Sequence, residues 1–498
     1  MFKNYITIAW RNLLKNKVFS LINMLGLAIS MAAAFILFQY IYNQLSYDRF
    51  LPDYQNIYRI QYDKFIEGKS AQSSITCERA VGPVIFNNCP EVSGYTQILG
   101  SNFHQLSVEN NAFTEEKLYY ADSNFFDVFK WPLILGNPSE VLKYTYSLVI
   151  SEKLADKYFG SEYPLGKSIF VYPAYEYSID GVFKDFPGNS HFKPDILLTF
   201  HDGLRFPPVV FDPWKSSNYY TYILASANIG KKELTEKINS VIDAARKEID
   251  NRTGEKNTYN LQPVHEINLH SDYAGEFEVN NNIKLIRILI IIGILILIMA
   301  WINYINLTSV NLIDRSTEMG IRKVNGGNGH SIRNQILIET CLTNLIAVLL
   351  AVTLVQLIQP FMENVLQISL GNQLFVNLKI IGIFILFILS GIILSGYLPS
   401  LIISARKPQV LLQKNNTGNT KKITARKIFI IIQFTAVACL LAAIITIKQQ
   451  FRFIGKKDKG LNVSNTLVIK TPKYLRRNDS RMIRGLQHFE ESLYKLPI

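Results

Sequence analysis

The strongest constraint on this chain is the arrangement of its long apolar stretches. Five stretches lack any charged residue and are each long enough to cross a bilayer: 18–47, 288–313, 340–362, 380–405 and 428–447. A helix rising ~1.5 Å per residue needs about 20 apolar residues to cross ~30 Å of hydrocarbon. A polar region over 43–284 separates the first stretch from the second. The sequence therefore predicts one span, a large soluble domain, three closely spaced spans and then a fifth.

The net charge of +13 indicates which side of the membrane each loop occupies. Three short segments beside the spans, 1–17, 314–335 and 406–427, hold 15 of the 52 basic residues and 2 of the 39 acidic ones, so the rest nets zero. Cytoplasmic loops carry such an excess of lysine and arginine. We therefore expect a cytoplasmic N-terminus and an outer domain at 43–284, although the basic residues after the last span, Lys448 to Lys459, do not follow the rule. No basic soluble domain remains, which argues against nucleic acid as a partner.

Two features of the first part of the chain allow more than one interpretation. The first span has the basic start and small residues of a cleaved signal peptide, but its apolar run continues to Tyr42, beyond the ~7–15 residues of a signal core. A retained anchor is therefore favoured. Cys77 and Cys89 lie in the outer domain, where a disulfide is chemically permitted. A helix predicted over 78–88 would hold them ~18 Å apart, so we expect free thiols.

These patterns give a domain organisation. We expect an amphipathic cytoplasmic helix (1–17), span 1 (18–42), the outer domain (43–284), a permease domain with spans 2–4 (285–404), a cytoplasmic linker (405–427) and span 5 (428–447). In the outer domain, strand patterns cover 57–60, 147–150, 169–171 and 177–183, and helical patterns cover 152–158, capped by Ser151, and 231–249. The fold class is an α-helical transmembrane bundle with a large extracytoplasmic α+β domain between spans 1 and 2.

The end of the chain repeats the order of features at its start. A basic segment with Ala425, a span, a strand pattern at 466–469 and a helical pattern from Met482 to Leu493 follow one another. Residues 448–498 would then begin a second outer domain that stops early, so we expect a truncated chain.

No catalytic, cofactor or metal site is predicted. Gly166, Lys167 and Ser168 resemble the end of a phosphate-binding loop, but Gly160 is one residue too far upstream and a strand pattern follows. His265 and His270 lack the acidic partner and helical context of a metal site. We expect no enzyme activity in this chain.

The cytoplasmic segment 314–326 has the most distinctive pattern. Glu318 and Arg322 are four residues apart and Arg315 and Glu318 three apart, so both pairs share one face of a short helix that Gly326 would end. An ordinary interfacial helix explains the pattern equally well. Glu339 is the one acidic residue close to a span, and an interfacial ion pair or snorkelling accounts for it.

The segment also resembles the signature of FtsX/MacB-type ABC transporter permeases, R-x-x-E-I/M-G-I/V-R-K/R-A/V-x-G. The matching residues are Arg315, Glu318, Met319, Gly320, Ile321, Arg322, Lys323, Val324 and Gly326. Residues 335–339 match the family's Q-x-L-x-E, and 398–400 with 406–408 match the exit of its fourth span. Residues 120–129, 151–160, 181–187 and 190–192 resemble a MacB-type periplasmic core, which implies a two-lobed outer domain. The N-terminus resembles the subfamily of eight-span double permeases.

The resemblance implies a non-catalytic permease of the bacterial inner membrane that partners a separate cytoplasmic ABC ATPase, expected to be a dimer. The coupling helix 314–326 would receive the ATPase's movement, and the first two spans would pass it to the outer domain. This mechanotransmission would export or release a peptide, lipoprotein or antimicrobial-type substrate. Further expected partners are a second permease half or a second copy of the chain, and a periplasmic adaptor. The alternative function is a membrane-anchored sensor or scaffold whose outer domain binds or regulates an extracytoplasmic partner without transport.

Overall fold

The computed structural model describes most of the chain. It describes 2–366 with gaps at 16, 67–68, 101–104, 109–110, 115–116, 172–174, 201–211, 272, 274 and 326–327, then 382, 385, 388–397, 400–401, 409, 420–457 and 480–494. Parts of the predicted fourth span (380–405), most of the predicted linker (405–427) and the strand predicted at 466–469 lie outside these residues. Two compact units are present, Met1–Asn43 with Lys284–Leu467 and Gln44–Ile283 with Val468–Ile498.

Between residues 44 and 283, the described part of the outer unit contains thirteen strands and five α-helices. The strands are β1 (Ile57–Ile66), β2 (Lys69–Ser74), β3 (Val92–Gly100), β4 (Gln105–Val108), β5 (Asn111–Thr114), β6 (Leu118–Ala121), β7 (Leu133–Leu135), β8 (Ser147–Ser151), β9 (Ser168–Val171), β10 (Tyr175–Phe183), β11 (Ile196–Thr199), β12 (Tyr219–Ala225) and β13 (Glu255–Pro263). The helices are α3 (Val81–Asn88), α4 (Phe125–Phe129), α5 (Glu152–Phe159), α6 (Lys231–Thr253) and α7 (Ile267–His270), which follows a 3₁₀ turn at Val264–Glu266.

All the strands join one mixed sheet. The order is β13-β1-β12-β3-β6-β11-β8-β10-β9-β4-β5, with β2 beside β1 and β7 beside β10. The β8–β10 and β6–β11 pairs are parallel, and the remaining pairs are antiparallel. Helices covering a mixed sheet agree with the α+β class predicted from the sequence.

Separate hydrophobic clusters fill the two ends of this sheet. At one end, Leu234, Ile238 and Ile242 of α6 are buried on one helical face with β1, β12, β13 and α3. At the other end, Leu154 of α5 packs among residues of β8 to β11. A third cluster surrounds α4. Distinct cores at the two ends correspond to two lobes within one continuous sheet.

Several local predictions are confirmed and one needs correction. Ser151 Oγ accepts a hydrogen bond from Leu154 N (3.3 Å), which is the predicted cap of α5. Cys77 and Cys89 are free and buried. The helix predicted from residue 78 begins at Val81, because the buried Glu78 carboxylate instead accepts hydrogen bonds from Arg246 and two other side chains.

The membrane unit contains long apolar helices together with shorter ones. Its helices are α1 (Phe2–Lys15), α2 (Lys17–Leu45), α8 (Ile283–Asp314), α9 (Ser316–Val324), α10 (Gly329–Leu366) and α11 (Thr420–Lys456), with a π turn at Ile393–Tyr397. Four of them are long and apolar enough to cross a membrane: Lys17–Leu45, Ile283–Leu312, Gly329–Val365 and Ile430–Gly455. A further helix, α12 (Ser480–Tyr494), lies near the end of the chain.

Small residues hold the membrane helices together. Ala28 and Ala32 of α2, Ala300 of α8, and Ala347 and Ala351 of α10 lie in one buried cluster. Small side chains let helix backbones approach closely, which favours association in lipid. Ala28 and Ala32 of the first span therefore pack with small residues of the second and third spans.

Candidate functional site

The candidate site is α9, the predicted coupling helix. It begins directly after Arg315 and ends at Val324, with Asn325 as its C-cap, so the predicted end at Gly326 lies just outside the described residues. Glu318 lies in its first turn, and Arg322 and Lys323 lie in its last turn. An acidic side chain near the N-terminus of a helix and basic side chains near its C-terminus both interact favourably with the helix dipole. The helix is therefore stabilised by its own sequence despite its length of nine residues.

One face of α9 is buried against α10. Met319 is 4% exposed and packs with Leu312 at the end of α8 and with Ile332 and Ile336 near the start of α10. Gly320 is buried beside it. Burying a methionine side chain contributes ~1.5–3 kcal/mol, so this contact fixes which way α9 faces.

An ion pair fastens the start of α9 to the third span. Arg315 Nη1 lies 3.0 Å from Glu339 Oε1 and 3.1 Å from Oε2, and Asn12 Nδ2 of α1 donates to Oε2 (3.3 Å). The Arg315 and Glu339 side chains are only 14% and 17% exposed. The carboxylate of Glu339 thus connects α1, α10 and the entrance to α9.

A second contact fastens the end of the helix. Arg322 Nη2 donates to Glu318 Oε1 (2.6 Å), and Arg322 Nη1 donates to Gln335 Oε1 of α10 (2.7 Å). Arg315 Nε lies 3.8 Å from Glu318 Oε2. The spacing in the sequence predicted both pairs with Glu318, whereas the bond to Gln335 was not predicted.

The opposite face of α9 is exposed. Ile321 is 51% exposed and Val324 is 64% exposed. The side chain of Glu318, closer to the start of the helix, is 45% exposed. These positions are three residues apart, so they lie on one side of the helix. An acidic group beside two exposed aliphatic side chains forms a compact surface that we call the outer face of α9.

A small polar cavity lies beside the Arg315–Glu339 ion pair. It has a volume of about 30 Å³, enough for a water molecule. Its lining includes side chains of α2, α8 and α10 that carry hydroxyl or amide groups: Ser20, Asn23, Tyr304, Thr308, Asn311, Thr340 and Thr343. The contacts of the ion pair therefore extend into a polar region between three spans.

The described residues hold no group of three or more His, Cys, Asp or Glu side chains placed to bind a metal ion.

Comparison with known families follows the same division of the chain. The model of the MacB-like periplasmic core domain matches residues 20–241, and the model of the FtsX-like permease C-terminal domain matches residues 290–408. The chain belongs to the FtsX/MacB-type ABC transporter permeases. These are multi-pass proteins of the bacterial inner membrane, and their ATPase is a separate subunit.

Three solved structures are each similar to a part of this chain. A domain assigned to a permease protein from Porphyromonas gingivalis is 21% identical, with a TM-score of 0.39, and covers 48% of this chain and 98% of its own. The periplasmic region of MacB from Actinobacillus actinomycetemcomitans is 14% identical (TM-score 0.32; 44% and 95% covered). The extracellular domain of the noncanonic ABC-type transporter YknZ from Gram-positive bacteria is 15% identical (TM-score 0.28; 42% and 100% covered). No curated protein matches the chain, so the family assignment rests on the two family models.

Two polar contacts near α9, of Asn12 with Glu339 and of Gln335 with Arg322, were not predicted from the sequence. Asn12 and Gln335 were given no role, although Gln335 and Glu339 lie one helical turn apart in the segment that resembles the family motif. A polar pair at that spacing near the end of an apolar helix is the signal that could have found them.

Proposed function

We propose that this permease couples ATP hydrolysis by a separate cytoplasmic ABC ATPase to movement of its own outer domain, and that α9 is where the ATPase docks. The observation that carries the proposal is the two-sided environment of α9. Its inner face is fixed to α10 through Met319, while its outer face presents Glu318, Ile321 and Val324. Aliphatic side chains next to a charge suit a docking contact that excludes water.

The fastening of α9 supports its role in transmission. A load on α9 would pass through Arg322 to Gln335 and through Arg315 to Glu339, both on the third-span helix α10. Asn12 extends the same connection to α1. Hydrogen bonds to charged groups contribute about 1.5–3 kcal/mol each, so the helix would move with α10 and α1.

The remaining parts of the proposal concern orientation, partners and substrate. The excess of lysine and arginine in the three short segments beside the spans supports a cytoplasmic location for the N-terminus and α9. The ATPase would act as a dimer, with the permease paired with a second permease half or a second copy, and with a periplasmic adaptor outside. The first three spans contain charge-free stretches, so they lack the charged residues that line a polar substrate path through a membrane. We therefore propose mechanotransmission, with export or release of a peptide, lipoprotein or antimicrobial-type substrate on the outer side.

Co-purification of the cognate ATPase tests the docking proposal. Ile321→Asp should abolish recovery of the ATPase with the permease, because it puts an unpaired charge into the docking contact. The matched control is Ile134→Asp, which changes a similarly exposed isoleucine (47%) of the outer unit and should leave recovery unchanged. Full recovery with Ile321→Asp would favour the sensor or scaffold function.

A further inference from the structure

One loop of the outer unit contacts both of the segments that connect this unit to the membrane spans. Residues 44–48, the entry segment, follow the first span in the sequence, and residues 276–278, the exit segment, precede the second. Residues 189–193, the shared loop, lie between β10 and β11. Each of its five residues contacts one of the two segments.

The first half of the shared loop holds the entry segment. Asn189 Nδ2 donates to Ser46 O (2.9 Å) and lies 3.0 Å from Ser46 Oγ, and Asp48 N donates to Asn189 O (3.0 Å). Ser190 Oγ (3.2 Å) and His191 N (3.1 Å) both donate to Asp48 Oδ1. His191 Nδ1 lies 2.9 Å from the same oxygen. The loop therefore grips both the backbone and the carboxylate of the entry segment.

The residues that join the shared loop to the entry segment are almost completely buried. Asp48 is fully buried, and Asn189, Ser190 and His191 are each at most 6% exposed. Buried polar groups are costly to separate from their partners, because no water replaces the lost hydrogen bonds. Asp48 also has φ of 57°, an unusual backbone conformation that its surroundings must maintain.

The second half of the shared loop holds the exit segment. The ring of Phe192 lies 4.6 Å from that of Phe277, and Lys193 Nζ lies 3.9 Å from Glu278 Oε2. Two further residues bind the exit segment. Arg59 of β1 binds both carboxylate oxygens of Glu276 (2.5 and 2.7 Å), and Nζ of Lys117, just before β6, lies 2.7 Å from Glu278 Oε1.

The shared loop is in turn tied to the sheet. His191 Nε2 and Tyr222 Oη share a hydrogen bond of 2.8 Å, and Tyr222 belongs to β12, which lies between β1 and β3. Phe192 packs in the cluster around α4. A displacement of either segment would therefore act on the same loop, and this loop is bonded to the sheet.

We infer that the shared loop 189–193 is the joint through which movement of the first two spans enters the outer domain, with Asn189, His191 and Asp48 as positioning residues. This inference rests on the proposed coupling function and adds where within the outer unit the movement is received. It predicts that loosening the loop separates ATP hydrolysis from movement of the domain.

A reversible cross-link tests the inference in the complete permease bound to its ATPase. Ser46→Cys with Asn189→Cys removes the two side-chain bonds when reduced and replaces them with a covalent link when oxidised, since the two side chains are already in contact. Cys341→Ser and Cys439→Ser remove the exposed thiols. A fluorescent donor and acceptor attached through unnatural amino acids at the exposed residues Val18 and Tyr163 report the ATP-dependent change in energy transfer.

The reduced pair should lose at least half of the ATP-dependent change while ATP hydrolysis stays within twofold, and oxidation should restore the change. Recovery on oxidation would not follow from misfolding. The matched control is Asn239→Cys, because Asn239 also makes side-chain bonds to backbone groups, at Thr235 O, Tyr259 O and Tyr259 N, but lies away from the loop. It should lower thermal stability and leave the change intact. A full ATP-dependent change in the reduced pair would overturn the joint alone, whereas no change in the unmodified permease would overturn the coupling function and the joint together.

Discussion

Arg315 and Glu339 form an ion pair although they are 24 residues apart in the sequence. One guanidinium nitrogen of Arg315 lies 3.0 and 3.1 Å from the two carboxylate oxygens of Glu339. The contact joins the entrance of the coupling helix to the third span, and Asn12 adds α1 to it. An ion pair this well covered has strong hydrogen bonds, and removing one partner leaves the other poorly solvated.

Glu339→Gln should therefore destabilise the membrane unit by about 1–3 kcal/mol. The measurement is thermal unfolding of the purified permease in detergent. Glu363→Gln is the control on the same helix. Glu363 accepts a hydrogen bond from Gln359, one turn away on that helix. Equal melting temperatures for Glu339→Gln and the unmodified protein would show that the ion pair does not stabilise the unit.

The outer unit should fold by itself. A fragment of residues 44–283 should be soluble and unfold cooperatively, because its hydrophobic clusters are internal to it. A fragment of residues 49–283 should be less stable by at least 1 kcal/mol, since it lacks the Gln44–Asn268 and Ser46–Asn189 bonds and the Asp48 carboxylate. Denaturant unfolding of both fragments measures the difference, and equal stabilities would contradict the described role of 44–48.

Asp122 should give the outer unit a specific pH dependence. Burial raises the pKa of its carboxyl group from 3.8 to about 6, despite hydrogen bonds from Thr96 and Gln97 that oppose the rise. Because the folded pKa is the higher one, this residue's contribution to stability is complete below pH 4 and is lost as the pH rises through about 6. Carboxyl NMR titration measures the pKa, and Asp122→Asn should remove this part of the pH dependence. A titration midpoint near 4 would contradict the prediction.

Topology can be tested by thiol labelling in intact cells. A cysteine replacing Glu248, an exposed residue of α6, should react with an impermeant reagent, and one replacing Thr317, an exposed residue of α9, should not. The reason is the confinement of the net positive charge to three short segments. Labelling at 317 before cell lysis would reverse the proposed orientation.

The local secondary structure of this permease was largely predictable from the sequence, because residues close together in the sequence determine it. The alternation in β10, the Ser151 cap of α5 and the Glu318–Arg322 pair all follow from spacings of two, three or four residues. Partners distant in sequence left no such signal. Arg59 and Glu276 are 217 residues apart, and Asn189 and Ser46 are 143 apart.

Buried charges on apolar faces show the same limit. Arg246 occupies the next position after Leu234, Ile238 and Ile242 on the buried face of α6, and it is satisfied there by Glu78 from before α3 (2.8 Å). Periodicity places such an arginine inside the domain but cannot name its partner. The contacts that define the shared loop and the attachment of α9 therefore required the three-dimensional structure.

Docking of the ATPase on the outer face of α9 can be tested with Glu318→Lys. Exposed pairs such as Glu318–Arg322 contribute only ~0.3–0.5 kcal/mol, so folding and membrane insertion should hardly change. A reversed charge inside a docking contact costs several kcal/mol. The measurement is permease-stimulated ATP hydrolysis at matched protein levels, with Glu248→Lys as the control for an exposed glutamate of the outer unit. We expect at least a tenfold loss of stimulation for Glu318→Lys and none for the control. Full stimulation by Glu318→Lys would show that the ATPase does not dock on this face.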